Sequence, residues 1–287
     1  MKKIKYLAEY LFIKLFFFIF KIVGYKNASN LGAKIGSMFG PLFRSKDLTK
    51  KNIKNSLPNI NEEETQILIQ KMWENYGRIF SEYMYIEKFR SKKLEKYLNI
   101  NGLKILEKIK KDGKPVVFVS GHFNNFELMA MQLELSGIEL SVVYRPLNNI
   151  FLNKTMENLR KNFICKNQIK KGLGGVREII KAFSNNNSVA LMIDQRVSEG
   201  KKSLLFNRAT FTTTIPAQLI KKYKCPIIPV YIQRNNNIFF DMTIEDPIYF
   251  NENEDINNIT LELNKWLEKK ILSNPDQWIW THNKWKL

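Results

Sequence analysis

The sequence predicts an α/β protein, a largely parallel mixed sheet flanked by helices, with a hydrophobic helix at its N-terminus. Three observations carry this. Apolar runs at 116–120, 140–144, 189–193 and 227–232 have strand length, too short for helices. Helix-length segments at 102–112, 126–136, 150–163, 175–185 and 215–224 lie between or beside them, and such alternation builds parallel sheets with helical crossovers. The opening 25 residues are mostly aliphatic and aromatic, unlike the chain that follows.

Taken in order, residues 4–25 centre on Phe16, Phe17, Phe18, Ile19 and Phe20, with Lys2, Lys3 and Lys5 before and Lys21 and Lys26 after. About 20 apolar residues span a bilayer, but Glu9 and Lys14 interrupt this run. Ala28-Ser29-Asn30 makes a poor cleavage site, which argues against a removable signal. Residues 1–26 are therefore expected to be an uncleaved membrane-anchor helix, spanning the bilayer or lying in its interface, with the basic remainder on the cytoplasmic side. Phenylalanines on nearly every face argue against a buried core helix. Residues 28–60 read as small, basic and loop-broken, with Gly32, Gly36, Gly40 and Pro41. Asn61 and Glu64 form a capping box. The helix they open carries the apolar stripe Ile67, Met72, Tyr76, Ile79, Phe80, Tyr83 and Met84, read as core. This makes 27–96 a helical region and 97–287 the α/β domain, the two expected to form one unit. A further strand at 238–244 and a last helix at 256–273 complete it.

Composition narrows the function. Of 287 residues, 46 are Lys or Arg and 27 Asp or Glu, a formal charge of +19. Such a field favours anionic partners: acidic lipid, an acidic carrier protein or nucleic acid. Richness in Lys, Asn and Ile accounts for part of the charge without any partner. Cys165 and Cys225 lie far apart with no CxxC, which excludes a disulfide framework and a structural zinc site. No G-x-S-x-G elbow and no P-loop occurs. Residues 172–175, Gly-Leu-Gly-Gly after Lys170 and Lys171, open a helix that could meet a phosphate.

The chemistry concentrates in Ser120-Gly121-His122-Phe123-Asn124-Asn125-Phe126-Glu127, where a strand turns into a helix. The chain has only two histidines, His122 and His282. A histidine base works with one ring nitrogen on the substrate and the other on a carboxylate. On a straight helix, positions five apart diverge by about 140°. His122 must therefore sit in the turn, with Glu127 in the first helical turn and Asn124 or Asn125 as the cap. The plainer reading makes Glu127 only a favourable first-turn charge. Arg145 ends the 140–144 run, and Asp194, Gln195 and Arg196 follow the 189–193 run. Ligands of open α/β sheets bind at the carboxyl ends of strands, so His122, Arg145 and Asp194 are expected on one rim. Arg145 as a solvated charge and Asp194 as a partner of Arg196 are the plainer readings.

The ordered set resembles a known family. His122-x4-Glu127, Tyr144-Arg145-Pro146, Asp194-Gln195, Phe206 with Thr212-Thr213-Thr214-Ile215-Pro216-Ala217, and Pro229-Val230-Tyr231 are similar to the lipid A biosynthesis secondary (lauroyl/myristoyl) acyltransferases of the HxxxxD/E superfamily. Asn52-Ile53-Lys54-Asn55-Ser56-Leu57-Pro58 and the closing stretch 275–286 fit too, so the resemblance covers nearly the whole chain. It implies an inner-membrane enzyme whose catalytic domain faces the cytoplasm. The enzyme would move a fatty acyl group from acyl-carrier protein to a hydroxyl of an acyl chain on an anionic lipid A precursor. It further implies His122 as general base, Glu127 as its partner, and Arg145 on the oxyanion or a phosphate. Asn124, Asn125, Asp194, Gln195, Arg196, Thr212 and Pro216 are then expected to bind substrate. No cofactor, metal or nucleic acid is expected. Two other readings compete: an acyl-CoA-dependent glycolipid acyltransferase of the same superfamily, and a non-catalytic basic protein binding membrane or nucleic acid. The aromatics lack the spacing of a base-stacking platform.

Overall fold

The computed structural model describes residues 2–286. A helical layer comes first. Helices α1 (Lys2–Val23) and α2 (Tyr25–Phe39) meet at Gly24, whose φ of 81° breaks the chain between them. Ser45 caps α3 (Lys46–Ser56) by accepting from Leu48 N. Asn61 and Glu64 form both halves of the capping box of α4 (Glu62–Glu82) at 2.8 and 2.9 Å. A short α5 (Ile86–Arg90) follows.

Two expectations for this layer hold only in part. Residues 28–60 do break at 40–45 and again after Ser56, but Gly32 and Gly36 lie inside α2 and press on Gly77 of α4. A Cβ at any of the three would strike the opposing backbone. These glycines permit close helix approach and do not punctuate the chain. The expected stripe of α4 holds for Met72 and Ile79, which are buried, and for Tyr76, Phe80, Tyr83 and Met84, which pack on the core; at its start Leu68 points inward and Ile67 is exposed.

The remainder alternates strand and helix. In order come β1 (Leu98–Asn101), α6 (Leu103–Asp112), β2 (Val117–Ser120), α7 (Glu127–Leu135), β3 (Leu140–Tyr144), α8 (Ile150–Phe163), β4 (Asn167–Lys170) and α9 (Leu173–Ser184). Then follow β5 (Ser188–Met192), β6 (Lys201–Leu205), β7 (Arg208–Thr212), α10 (Ile215–Tyr223), β8 (Ile227–Asn235), β9 (Phe239–Ile244) and α11 (Ile256–Ser273). Seven strands form one sheet in the order β1-β9-β8-β2-β5-β3-β4. Every neighbouring pair is parallel except β8–β9. The largely parallel mixed sheet is thus as expected. Strands β6 and β7 form a separate antiparallel hairpin.

Alternate residues of β2 feed the two faces of the sheet, as a strand's period of two requires. Phe118 packs with Phe123, Leu128 and Ile228 toward the helical layer. Val117 and Val119 pack with Val189, Leu191, Ile179 and Ile220 on the other side. The first core reaches α1: Phe17 and Phe20 are buried, and both rings contact Phe80. The other side of α1 exposes Ile4, Leu7, Leu11, Phe12, Leu15, Phe18 and Ile22. Among the described residues no helix is long and apolar enough to cross a membrane. The spanning form of the anchor is therefore not seen; α1 is a helix with one apolar face in the core and another exposed.

Candidate functional site

Strand register builds the site. Strands β2 and β5 are parallel neighbours with Ser120 opposite Met192, and Ile193 N donates to Ser120 O at 2.9 Å. His122 and Asp194 each follow this matched pair by the same short step, so they emerge side by side. Asp194 grips His122 twice. Oδ1 lies 2.7 Å from His122 Nδ1, and Oδ2 accepts from His122 N at 2.8 Å. The Asp194 side chain is fully buried, while that of His122 keeps 22% of its surface. Gln195 Nε2 lies 3.4 Å from His122 Nε2, and Phe126 stands edge-on to the ring at 4.9 Å.

The electrostatics follow from this geometry. Burial disfavours the His122 imidazolium, but the charge and hydrogen bond of Asp194 outweigh it, and the pKa is raised. Burial likewise opposes the Asp194 carboxylate, and the nearby His122 with its two donors holds its pKa well below the usual range. Trp278 Nε1 also donates to Asp194 Oδ2, at 3.0 Å.

Glu127 is placed differently from the sequence expectation. It opens α7 but makes no hydrogen bond to His122. Its Oε1 accepts from Arg160 Nε at 2.8 Å, Arg160 Nη2 at 2.6 Å and Tyr83 OH at 2.9 Å. The reason is local. Asn124 adopts φ 48°, and the loop between β2 and α7 carries Glu127 toward α8 and the end of α4. The strand-end aspartate is already in register for the imidazole. Glu127 reaches His122 through space, where its charge adds to the rise in pKa.

The other expected residues separate into two groups. His122, Asp194 and Gln195 converge. Arg145 is exposed at the same sheet end, beside Lys171, whose N donates to Tyr144 O at 2.9 Å. Burial and the Arg145 charge together lower the Lys171 pKa. Asn124 and Asn125 are buried, and neither side chain caps α7. Asn124 Nδ2 donates to Gln277 Oε1 at 2.6 Å, and Asn125 Nδ2 to Glu82 Oε2 at 3.1 Å. Arg196 turns away from Asp194 to the carbonyl of Lys286 and the hydroxyl of Ser198. Thr212 is buried against Asn264 and Lys284, and Pro216 lies in the first turn of α10. For Asn124, Asn125, Arg196 and Thr212 the side-chain hydrogen bonds are thus with other residues of the protein.

Sequence reading missed Arg160, Tyr83, Glu82 and Arg234. Arg234 makes a two-pronged pair with the buried Glu82, at 2.5 and 3.0 Å, and the same carboxylate holds Asn125. This network ties the His122 loop to α4 and β8. Tyr83 had been visible only as part of an apolar stripe. Nothing in the local pattern marks Arg160, Glu82 or Arg234, whose partners are distant in sequence.

Both thiols are held in the neutral form. Burial pushes Cys165 up to about 12 and Cys225 up to about 11. A buried thiol of this kind makes a poor nucleophile.

Comparison with known proteins gives a consistent picture. A model of the family described as bacterial lipid A biosynthesis acyltransferase matches residues 1–287. A lipid A biosynthesis acyltransferase of Haemophilus influenzae is 26% identical over 268 residues, covering 88% of this chain and 83% of its own. The lipid A biosynthesis palmitoleoyltransferase of Escherichia coli K12 is 23% identical over 262 residues, covering 89% and 84%. The lauroyltransferase of the same organism is 22% identical over 252 residues, covering 85% and 79%.

Proposed function

Because this chain belongs to the bacterial lipid A biosynthesis acyltransferase family, and is accordingly an acyltransferase, we propose that it moves a fatty acyl group from an acyl-carrier-protein thioester to a hydroxyl of a lipid A precursor. The observation that carries the reading is His122, fixed at Nδ1 by Asp194, with Nε2 beside the Gln195 amide and the side chain 22% exposed. In the neutral ring, Nδ1–H donates to Asp194 and Nε2 is free to accept. The acceptor hydroxyl gives its proton to Nε2 while its oxygen attacks the thioester carbonyl. The tetrahedral species collapses, the C–S bond breaks, and the imidazolium returns the proton to the leaving thiolate. An ester and a free carrier thiol result. Asp194 fixes the tautomer and stabilises the imidazolium. Glu127 adds to that field from its pairing with Arg160 and Tyr83.

The acceptor hydroxyl displaces the Gln195 amide from Nε2, and that amide is then placed to donate to the oxyanion. Arg145 and Lys171 form the cationic edge that meets acceptor phosphate. The raised thiol pKa values favour direct transfer without an acyl-enzyme. The exposed apolar face of α1 lies in the membrane interface, its lysines reaching the head groups. On this reading the enzyme works at the inner membrane, with the catalytic domain on the cytoplasmic side.

Mass spectrometry of lipid A from cells lacking and expressing the protein is the test. Expression should add the mass of one acyl chain. Identical lipid A profiles, with the protein present in membranes, would remove this reading.

A further inference from the structure

Beyond α11 the chain runs through 274–286 and crosses the strand ends that carry the site. Three of its side chains reach the catalytic loops. Gln277 accepts from Asn124 Nδ2 at 2.6 Å, and its carbonyl accepts from Asn124 N at 3.1 Å, pinning the left-handed residue of the His122 loop. Trp278 donates to Asp194 Oδ2 at 3.0 Å. Lys284 is fully buried, and its Nζ donates to Gln195 O at 3.2 Å, Ile193 O at 3.5 Å and Thr212 Oγ1 at 3.4 Å. Those two carbonyls flank Asp194 in sequence.

The segment is itself firmly seated. Asn52 donates to the carbonyls of Trp280 and His282, and Thr210 to that of Lys284. Trp278 stacks edge-on with Trp280 at 4.9 Å. A fully buried lysine is costly, since burial opposes its charge. Here burial brings its pKa down to about 8, against the opposing pull of Asp194. Packing alone would be met more cheaply by an apolar side chain.

We propose that this segment is a catalytic strap in which Trp278 and Lys284 are positioning residues that set how much charge Asp194 presents to His122. The inference rests on the acyltransfer reading for its kinetic consequence, but not for its physical one. Asp194 has one oxygen on the imidazole and one on donors from the main chain and the strap. Donors on the second oxygen draw charge from the carboxylate and set how strongly it stabilises the imidazolium. Other charges act around the same centre: Glu127 and Arg160 toward His122, and Lys171, His282 and Tyr76 toward Asp194. None of these donates to Oδ2.

Trp278→Phe keeps the ring packing and deletes one donor, while His122 N still holds the carboxylate in place. The unshared charge should then raise the proton affinity of His122. Full-length protein in detergent, assayed from pH 5 to 9, should show the acid limb of kcat moved to higher pH. Activity at neutral pH should fall by about tenfold, recover in alkali, and leave KM unchanged. Lys284→Met, which deletes the ammonium near Asp194, should move the limb in the same direction.

Two histidines make 15N-histidine NMR simple, with His282→Asn for assignment. The His122 titration should follow the kinetic shift in each variant. Superimposable titrations and pH profiles, or a shift to lower pH, with only a reduced Tm, would make the strap a packing element and overturn the proposal. Wild-type protein without thioester-dependent turnover would sink the acyltransfer reading alone, and the histidine titration would still decide the strap.

Discussion

Asp194→Asn is the sharpest test of the proposed catalytic centre. The substitution keeps the volume and removes the charge. In the wild type, burial pulls the His122 pKa down, and the charge and hydrogen bond of Asp194 more than reverse it. With the amide in place, burial acts against the remaining field of Glu127, so the His122 pKa should fall. The amide can also donate to Nδ1, which puts the ring proton on Nε2 and removes the base. The expected loss in kcat is on the order of 10² to 10⁴, ~3–6 kcal/mol of barrier at ~1.4 kcal/mol per tenfold. Stability should change in a defined window. The folded pKa of Asp194 lies below its unfolded value of ~3.9, so its stabilisation is present above that pH and lost as pH falls. The folded pKa of His122 lies above its unfolded value of ~6.5, so its stabilisation is full below that pH and lost as pH rises. Wild type and variant should therefore differ most in Tm between pH ~4 and ~6.5. Thioester turnover across pH, with melts in the same buffers, measures both. A variant within threefold of wild type in kcat, or one whose acid limb moves to higher pH, would refute the assignment of Asp194.

Three further outcomes follow from the contacts. Glu127→Ala leaves the Arg160 guanidinium, only 14% exposed, without its carboxylate; a loss of ~3–5 kcal/mol in urea unfolding is expected, with reduced activity. Gly77→Ala drives a Cβ into the Gly32 carbonyl and should lower Tm, whereas Gly174→Ala, in open space within α9, should not. Phe12→Glu with Phe18→Glu, both 63% exposed, should cut liposome flotation while leaving Tm unchanged, whereas Phe20→Ala at a fully buried position should cost ~3–5 kcal/mol of stability.

The sequence made the central sheet legible because its strands are short apolar runs or, in β9, an apolar alternation: β2, β3, β5, β8 and β9 all lie on predicted segments. It hid the edges. Strand β1 (Leu-Asn-Ile-Asn) and strand β4 (Asn-Gln-Ile-Lys) have too few apolar residues to mark themselves, and sheet position rather than composition makes them strands. The β6–β7 hairpin turns at Phe206-Asn207, both with positive φ, without the Asn-Gly signal of such a turn. In the site, His122 and Asp194 were visible because both follow apolar runs. Their pairing was not, because it depends on β2 lying next to β5, and sequence order does not state which strands are neighbours. The short spacing of His122 and Glu127 invited a direct bond that the loop geometry does not make.

The same limit shaped the reading of the first helix. Its phenylalanines, seen as a composition, fit an anchor detached from the catalytic fold. In the structure the helix works on both sides. Phe17 and Phe20 complete the core, Tyr85 OH donates to the Phe20 carbonyl at 2.5 Å, and Asn149 Nδ2 donates to the Tyr6 carbonyl at 2.8 Å. Asn149 also caps α8 by accepting from Phe151 N and Leu152 N, and the last turn of α8 carries Arg160, which holds Glu127. The proposed lipid-facing helix is thus joined through α8 to the wall of the proposed site. A second exposed apolar group, Met38, Phe39, Leu42 and Phe43, follows at the end of α2. On the proposed membrane reading, a single amphipathic helix could roll in the interface, whereas two apolar contacts on one layer would resist rolling and fix the angle at which the proposed site meets the bilayer. Deleting residues 1–25 would therefore remove core side chains together with lipid contact, and the outcome would confound the two. Charge substitutions confined to the outer face of α1 separate them, because the inner face and its bonds to Tyr85 and Asn149 remain.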